Sequence, residues 1–517
     1  MIDARAPHPV RLADVARELP GAAGVDGDGA VVIDGVRHDS RRVERGDLFV
    51  VRKGASHDAS AFVGDAIARG AVALLAKRGT SLDARGLPVV WVDDVAVGMA
   101  YAAAAVYGHP SFGLDVVGVT GTNGKTTTTH LVRAAIDGAA EKTVCGLVGT
   151  VGYKFGDLDE EPSHTTPESD ELARVMLAMK RKGAGYVAME VSSIALELAR
   201  VAAVRFSVAA FTNLTQDHLD FHGSMEAYAA AKRRLFVECA PGNAVVNVDD
   251  AEGRALSKLV RSPLVTVSAK VGADADVAPL SSSLDARGVR ARLRSPAGEL
   301  ELASPLVGAH NLENLVVALG VVIALGLDAR RACAALAGEK GAPGRLERCD
   351  GPGDDVTALV DYAHTPDALA RVLDAIRAVT KARVLCVFGC GGDRDPKKRG
   401  PMGRAVGERA DVAIVTSDNP RTEDPAAIAE AAAAGVRDAG MGAIDPKAAS
   451  SSKGFFVELD RARAIRAAAL AARPGDVVLV AGKGHEDYQI VGTEKRAFDD
   501  RAVVRAALAE RRGEGTA

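Results

Sequence analysis

The chain lacks the features that would staple it, anchor it or tie it to a polyanion. Its six cysteines, Cys145, Cys239, Cys333, Cys349, Cys386 and Cys390, form no C-x-x-C pair and no even framework. They therefore read as reduced thiols of a cytosolic protein, not as a disulfide scaffold. No run of about 18 apolar residues occurs, so no membrane-spanning helix is expected. The first twenty-odd residues lack the apolar core of a secretory leader. Neither sign of charge dominates: 64 Lys and Arg against 68 Asp and Glu leave a net −4. This gives no global attraction for nucleic acid or an anionic membrane. No helix pattern carries a long apolar seam, so a monomer is expected. Asparagine is scarce: it stands only at Asn123, Asn213, Asn243, Asn247, Asn311, Asn314 and Asn419, and several of these fall in polar, Gly-rich or acidic loops.

What is present is an ordinary globular balance, 48% hydrophobic and 26% charged, over 517 residues. At about 150 residues per domain, that length predicts roughly three domains. Between about 30 and 95, the apolar runs Asp47–Val51 and Pro88–Val92 flank a helical stretch at Ala59–Arg69, a small α/β unit. His109-Pro110 marks a boundary. The next block opens with a strand at Asp115–Val119, a Gly-rich loop and a helix from about Lys125. Apolar strands follow at Tyr186–Met189, Ser207–Phe211 and Ala244–Val248. Residues 263–306 alternate, predicting a small antiparallel patch, and Gly308–Leu325 reads as a helix.

Beyond Pro343-Gly344, strand, polar loop and helix recur four times. The strands are Ala358–Val360, Arg383–Phe388, Val412–Val415 and Val477–Val480. Each runs into a loop rich in chemistry, and open α/β sheets bind ligands just beyond such carboxyl ends. The expected fold class is α/β with three domains. These are a small N-terminal α/β unit, a central P-loop mononucleotide-binding domain with a parallel sheet, and a C-terminal Rossmann-like domain. Their limits are 1–112, 113–341 and 342–517. The polar tail 511–517 is expected to fray.

Gly118-Val-Thr-Gly-Thr-Asn-Gly-Lys125-Thr126-Thr127 lies between strand and helix, the context of a phosphate-binding loop. Glycines let successive backbone N–H groups wrap phosphate oxygens, and the helix N-terminus adds partial positive charge. Lys125 reaches the β- and γ-phosphates in such a loop, and Thr126 helps hold Mg²⁺. Val119 stands where the strict pattern wants glycine, so the loop is a variant. A bare glycine turn is the bland alternative. Glu190 ends an apolar strand and suits a hard-metal ligand. His218 and His222 share an i, i+4 spacing that could suggest zinc. With no third ligand nearby, one histidine and Glu190 beside a nucleotide fit Mg²⁺ better. Lys232, in Lys232-Arg233-Arg234, reads by itself as part of a solvated face.

Together these motifs resemble the Mur ligases of cell-wall synthesis, ATP-dependent amide-bond ligases related to folylpolyglutamate synthetase. The matches are Thr120–Thr126, Glu190-Val-Ser-Ser193, Asp217-His-Leu-Asp220, His310-Asn311, Gly344-Arg345-Leu-Glu347 and Asp361-Tyr-Ala-His364. Thr416–Arg421, Gly389–Asp395 and Gly482–Asp487 resemble the diaminopimelate-adding branch. The resemblance implies an ATP-dependent acid–amino-acid ligase of peptidoglycan precursor synthesis, cytoplasmic, acting on small molecules. By the same resemblance, Gly121, Thr122, Asn123, Gly124, Lys125, Thr126, Thr127, Asn311, Arg345 and Asp361 bind ATP. Thr126, Glu190, His218 and a carbamylated Lys232 hold Mg²⁺. Ser40, Thr165, Thr166, Ser192 and Arg200 bind the UDP-muramoyl dipeptide. The domains become, in order, UDP-substrate-binding, ATP-binding and amino-acid-binding.

Arg394, Asp418, Asn419, Pro420, Arg421, Gly482 and Glu486 match the diaminopimelate pocket. Charge supports that match independently, since a distal carboxylate needs an arginine and a distal ammonium needs a carboxylate. Lys125, Lys232 and Arg345 are the expected catalytic residues. The expected chemistry is phosphorylation of a carboxylate to an acyl phosphate, then attack by an amine. His364 is one option for the base, with a structural role equally open. Two positions depart from the family pattern: Ile194 replaces a histidine and Leu198 a glutamine. The rivals are a lysine-adding relative, a folylpolyglutamate synthetase, a non-catalytic nucleotide-binding module and a P-loop kinase.

Overall fold

A computed structural model of the chain describes residues 5–52 and 59–513. The first four residues of the N-terminal stretch and residues 514–517 of the tail lie outside the described residues. Two compact units emerge. One is built on the chain up to Ala278 with Arg294–Gly298 and Asn314–Ala335. The other comprises Pro279–Leu293, Glu299–Glu313 and the chain from Leu336.

The first unit holds two large sheets and a two-stranded pair, Val10–Arg11 with Val32–Ile33. A five-stranded sheet runs in the order Val25–Asp26, Val89–Val92, Ala73–Lys77, Asp47–Val51, Gly35–Arg37. All its pairings are parallel except the one at the Val25–Asp26 edge. The expected helix at Ala59–Arg69 is split into a 3₁₀ turn, Ala59–Phe62, and an α-helix, Val63–Arg69, that ends on left-handed Gly70.

An eight-stranded sheet carries the phosphate loop. Its order is Leu158–Glu160, Gly152–Phe155, Cys145–Gly149, Tyr186–Glu190, Asp115–Thr120, Val208–Phe211, Asn243–Asn247, Leu264–Val267. The strands from Cys145 onward in that order are parallel, with both faces covered, which is why their sequences are continuous apolar runs and not alternations. Parallel register sets Glu190 beside Val119 and Phe211 beside Thr120, so three strand ends meet at one loop.

The second unit is organised on a six-stranded sheet: Glu347–Arg348, Thr357–Asp361, Val477–Ala481, Val384–Cys390, Val412–Ser417, Gly454–Val457. It is parallel except at the Glu347–Arg348 edge. Buried residues on both faces, such as Phe388, Ile414 and Leu479, form its core. The strand that is last in sequence, Val477–Ala481, lies in the middle of the sheet, so its exit loop emerges among the others.

The stretch from 263 to 306 needed correction at its start. Leu264–Val267 is a parallel edge strand of the central sheet, while Ala278–Asp285, Gly288–Arg294 and Leu300–Ser304 form a separate three-stranded sheet. Alternation alone does not distinguish a half-buried parallel edge from an antiparallel strand. A hairpin at Tyr488–Val491 and Glu494–Ala497 also went unread, because its strands are short and mostly polar. No helix is long and apolar enough to cross a membrane among the described residues.

Candidate active site

The strand Asp115–Thr120 runs into the phosphate loop, and the helix Lys125–Ala140 leaves it. Gly121 has a φ of 150°, and a Cβ there would collide with the Thr212 hydroxyl. Only glycine lets the loop pass so close to the neighbouring strand end. The loop is then laced to residues 212–215. Thr122 N donates to Asn213 O at 2.8 Å, Asn123 N to Asn213 Oδ1 at 3.0 Å, and Thr212 Oγ1 to Asn123 O at 2.7 Å. Lys125 Nζ folds back onto the carbonyls of Gly121 and Thr122, at 2.8 and 2.9 Å. Its ammonium is held over the loop that would cradle the phosphates. Thr127 is buried on the first helical turn.

Glu190 is 1% exposed, yet it pairs with no cation among the described residues. Thr126 Oγ1 donates to its Oε2 at 2.8 Å, and Thr150 N to its Oε1 at 2.7 Å. A carboxylate and a hydroxyl held together beside a phosphate loop are the donor set a hard divalent cation takes, with water and phosphate oxygens supplying the rest. Among the described residues, no cluster of three or more His, Cys, Asp and Glu forms. The zinc alternative thus has no third ligand among them. His222 instead shares a 2.9 Å hydrogen bond with Ser193. His218 is exposed, with a φ of 50°, and its ring lies 6.2 Å from that of Tyr228.

Lys232 departs most from its bland reading. It is 2% exposed, its Nζ donates to Gly121 O at 2.9 Å, and it lies 4.4 Å from the Tyr228 ring centroid. Burial, with Lys125 nearby, lowers its pKa to about 6. The amine is therefore largely neutral at pH 7, the form that captures carbon dioxide. Tyr228, whose hydroxyl meets Thr122 at 3.2 Å, is pushed up to about 12 by burial.

The expected dipeptide-binding residues, apart from Ser40, form one chain leading from Glu190. Thr165 meets Thr150 at 3.1 Å, and Thr166 Oγ1 donates to Glu190 O at 2.9 Å. Ser192 N donates to Thr166 Oγ1 at 3.0 Å, and the Ser192 hydroxyl caps the helix Ser193–Glu197. Arg200 Nη1 donates to Thr166 O at 3.0 Å, and Nη2 pairs with Glu168 at 2.8 Å. Ser40 is buried on the turn after Asp39. Ile194 is half-buried and Leu198 exposed on the segment after Ser193.

In the second unit, Asp361 is buried and accepts from Leu346 N at 2.7 Å and Ala363 N at 2.8 Å. Burial pushes its carboxyl up, against the pull of Arg345. It thereby fixes the turn that carries Arg345. The Arg345 guanidinium lies 5.0 Å from the Tyr362 ring centroid. A Cβ at Gly344, whose φ is 65°, would strike the Gly484–His485 backbone, so this turn and the 482–486 loop pack in direct contact. Asn311 is buried and donates to Val307 O at 2.8 Å. His364 Nδ1 lies 2.7 Å from Tyr362 O.

Asp418, Asn419, Pro420, Arg421, Gly482 and Glu486 do assemble. Asn419 Nδ2 donates to Glu486 Oε2 at 3.1 Å, and the Asp418 carboxylate closes over Gly482. Arg421 has a φ of 51° and donates to Gly392 O at 2.7 Å; the exposed Arg394 stands on the same loop as Gly392. The hairpin bonds to this segment through Gln489 Nε2 to Asp418 O at 2.7 Å and Ile490 N to Asn419 Oδ1 at 2.9 Å.

Sequence reasoning missed several participants. Asn314 accepts from Thr128 Oγ1 at 3.2 Å and stands over Gly124; its i, i+3 spacing from Asn311 was the available signal. Thr150 carried no motif. Lys483 lay inside a quoted motif without a role, and it proves to be fully buried.

Comparison with known proteins bears on the same residues. Three family models match in chain order: the Mur ligase family catalytic domain at 32–107, the Mur ligase middle domain at 119–322, and the Mur ligase glutamate ligase domain at 344–484. A UDP-N-acetylmuramoyl-L-alanyl-D-glutamate–2,6-diaminopimelate ligase of Gloeobacter violaceus is 45% identical, over 96% of this chain and 99% of its own. The chain belongs to the Mur ligase family. The equivalent ligase of Streptomyces coelicolor is 44% identical over 98% of this chain and 99% of its own. A solved structure with the same enzyme name superposes with a TM-score of 0.71 at 32% identity, over 98% of this chain and all of the other. The Thermotoga maritima MurF ligase in complex with ADP shares the fold at 20% identity, with a TM-score of 0.56 over 93% and 97% of the two chains. The α/β fold class and the ligase family expected from the motifs therefore stand.

Proposed function

We propose that this Mur ligase joins meso-diaminopimelate to UDP-N-acetylmuramoyl-L-alanyl-D-glutamate, consuming ATP and releasing ADP and phosphate. The reading rests on near-full-length likeness to ligases of that name. The observation that carries it to the amino-acid substrate is the assembly of Asp418, Asn419 and Glu486 beside Arg421 in the second unit. A diamino dicarboxylic acid is recognised at its far end by both signs of charge. L-lysine would leave the arginines without an anionic partner. The domain limits 1–112, 113–341 and 342–517 belong to the same proposal, supported by the separate five-, eight- and six-stranded sheets. So does action on free small molecules as a cytoplasmic monomer.

The chemistry follows from the residues. Lys125 and the loop N–H groups from Gly121 to Thr127 neutralise and orient the phosphate chain of ATP as its γ-phosphoryl group passes to the dipeptide carboxylate. Arg345 is also expected to act in charge neutralisation. Thr126, Glu190, His218 and a carbamylated Lys232 would hold Mg²⁺, which supplies charge compensation between the two approaching anions. The Glu190–Thr126 pair and the neutral Lys232 amine suit that role. Thr165, Thr166, Ser192 and Arg200 orient the dipeptide, and Ser40 its uridine nucleotide. The amine of diaminopimelate then displaces phosphate from the acyl phosphate, giving the amide.

The deciding assay is phosphate release from ATP with the UDP-muramoyl dipeptide, with meso-diaminopimelate or L-lysine supplied in parallel. Release with diaminopimelate alone, with a matching mass gain of the nucleotide product, is expected. Preference for lysine would overturn the substrate, and phosphate attached to the product would indicate a kinase instead.

A further inference from the structure

Lys483 is among the largest side chains in the molecule to be completely buried. It follows Gly482, where the Val477–Ala481 strand turns away from the sheet. Its Nζ meets Asn419 Oδ1 at 3.0 Å, Asp418 Oδ1 at 3.3 Å and Glu486 Oε2 at 3.5 Å. The first contact is a hydrogen bond and the other two are ion pairs, so one buried ammonium is shared between an amide oxygen and two carboxylates. The Tyr488 ring centroid lies 5.6 Å away and helps close the site.

The strands that carry these acceptors are not neighbours. Val384–Cys390 separates Val412–Ser417 from Val477–Ala481 in the sheet, and the loops beyond them join only further out, at the Arg421–Val491 backbone bridge, which leaves a gap between the Asp418 and Glu486 side chains. Lys483 spans that gap. Without it, two carboxylates would share a partly desolvated pocket and repel each other.

A second buried cation backs the same place. Arg461 pairs with Asp500, both fully buried, and donates to Ala481 O at 3.0 Å. The cluster thus holds three carboxylates, Asp418, Glu486 and Asp500, against two cations, Lys483 and Arg461. It is one positive charge short.

Burying an ammonium is a poor way to gain stability, since its desolvation offsets most of the attraction it makes. We infer that Lys483 is a positioning residue for the amino-acid substrate. It sets the spacing of the Asp418 and Glu486 carboxylates and leaves the cluster with room for one further ammonium, that of the incoming amino acid. This inference rests on the proposed function and assigns Lys483 no contact with the reacting atoms.

The test is steady-state kinetics on the full-length chain, varying meso-diaminopimelate, ATP and the UDP-muramoyl dipeptide in turn. Wild type is compared with Lys483→Met, Lys483→Gln, Glu486→Gln and the double variant K483M/E486Q. Both Lys483 variants should raise the diaminopimelate KM by roughly 10- to 100-fold, the range for losing a charged hydrogen bond. The KM values for ATP and the dipeptide should not move, and kcat at saturating diaminopimelate should change little. The double variant should cost less than the product of the Lys483→Met and Glu486→Gln effects, because it removes one charge of each sign.

A diaminopimelate KM within twofold of wild type in Lys483→Gln would overturn the inference. So would a parallel change in all three KM values and kcat, or strict multiplicativity in the double variant. If Lys483→Met does not fold, Lys483→Gln keeps two donors without the charge and carries the same comparison. Wild-type inactivity with diaminopimelate would instead overturn the proposed function, and this inference with it.

Discussion

At the scale of single residues, burial decides what a titratable group can do, and Lys232 is the plainest case. Its sequence neighbours, Arg233 and Arg234, are the partly exposed cations of an amphipathic helix face, whereas Lys232 points inward beneath the phosphate loop. A pKa lowered to about 6 by burial suits Lys232 to carbamylation near neutral pH. Protein incubated with ¹³C-bicarbonate at pH 8 should show a carbamate carbonyl resonance that is absent from Lys232→Ala. That variant should lose roughly 10²- to 10³-fold in turnover, the scale for removing one preorganised electrostatic group. A resonance that persists in Lys232→Ala would assign it to another amine. By itself the sequence placed Lys232 on a solvated face with Arg233 and Arg234; its burial comes from how the helix packs under Gly121.

At the scale of elements, the strand ends matter more than the strands. The apolar runs Asp47–Val51, Tyr186–Met189 and Val477–Val480 were legible because a parallel strand buried on both faces excludes polar residues. Their order in the sheet was not legible, and that order brings residues 418 and 486 together. The Arg461–Asp500 pair holds the helix Arg461–Ala471 and the helix Asp500–Arg511 to the end of the central strand. Arg461→Met strands a fully buried carboxylate and should destabilise the second unit by about 3–5 kcal/mol. R461M/D500L removes both charges and should recover most of that loss, measured as denaturant midpoints for the set. Equal midpoints for the single and double variants would mean that the pair's charge is not what holds these helices.

At the scale of the whole molecule, ion pairs join parts of the first unit that are far apart in sequence. His38, just beyond the Gly35–Arg37 strand, meets Asp170 of the helix Ser169–Arg181 at 2.9 Å. Burial alone would lower the His38 pKa, but Asp170 and Glu168 together raise it above 6.5, against the opposing pull of Arg52. Burial would raise Asp170, and His38 and Arg174 bring it below 3.8. The histidine's contribution is therefore complete below pH 6.5 and is lost as pH rises through its higher folded pKa. The aspartate's is complete above pH 3.8 and is lost as pH falls through its lower folded value. Wild type should melt about 2–4 °C above His38→Asn near pH 5.5, and the gap should close toward pH 9. A gap independent of pH would show that packing, not charge, joins these elements.

The sequence alone determined the local chemistry. It identified the phosphate loop from glycines before a helix, the α/β class from buried apolar runs, and the ligase family from motifs in fixed order. Each such motif or run is encoded within a few consecutive residues. The tertiary structure decided what depends on distant segments. It buried Lys232 under Gly121, turned the carboxylate of Asp361 inward to fix a turn, and set Lys483 between two loops whose strands are not adjacent. Desolvation and charge pairing are properties of the packed whole, and no spacing along the chain specifies them.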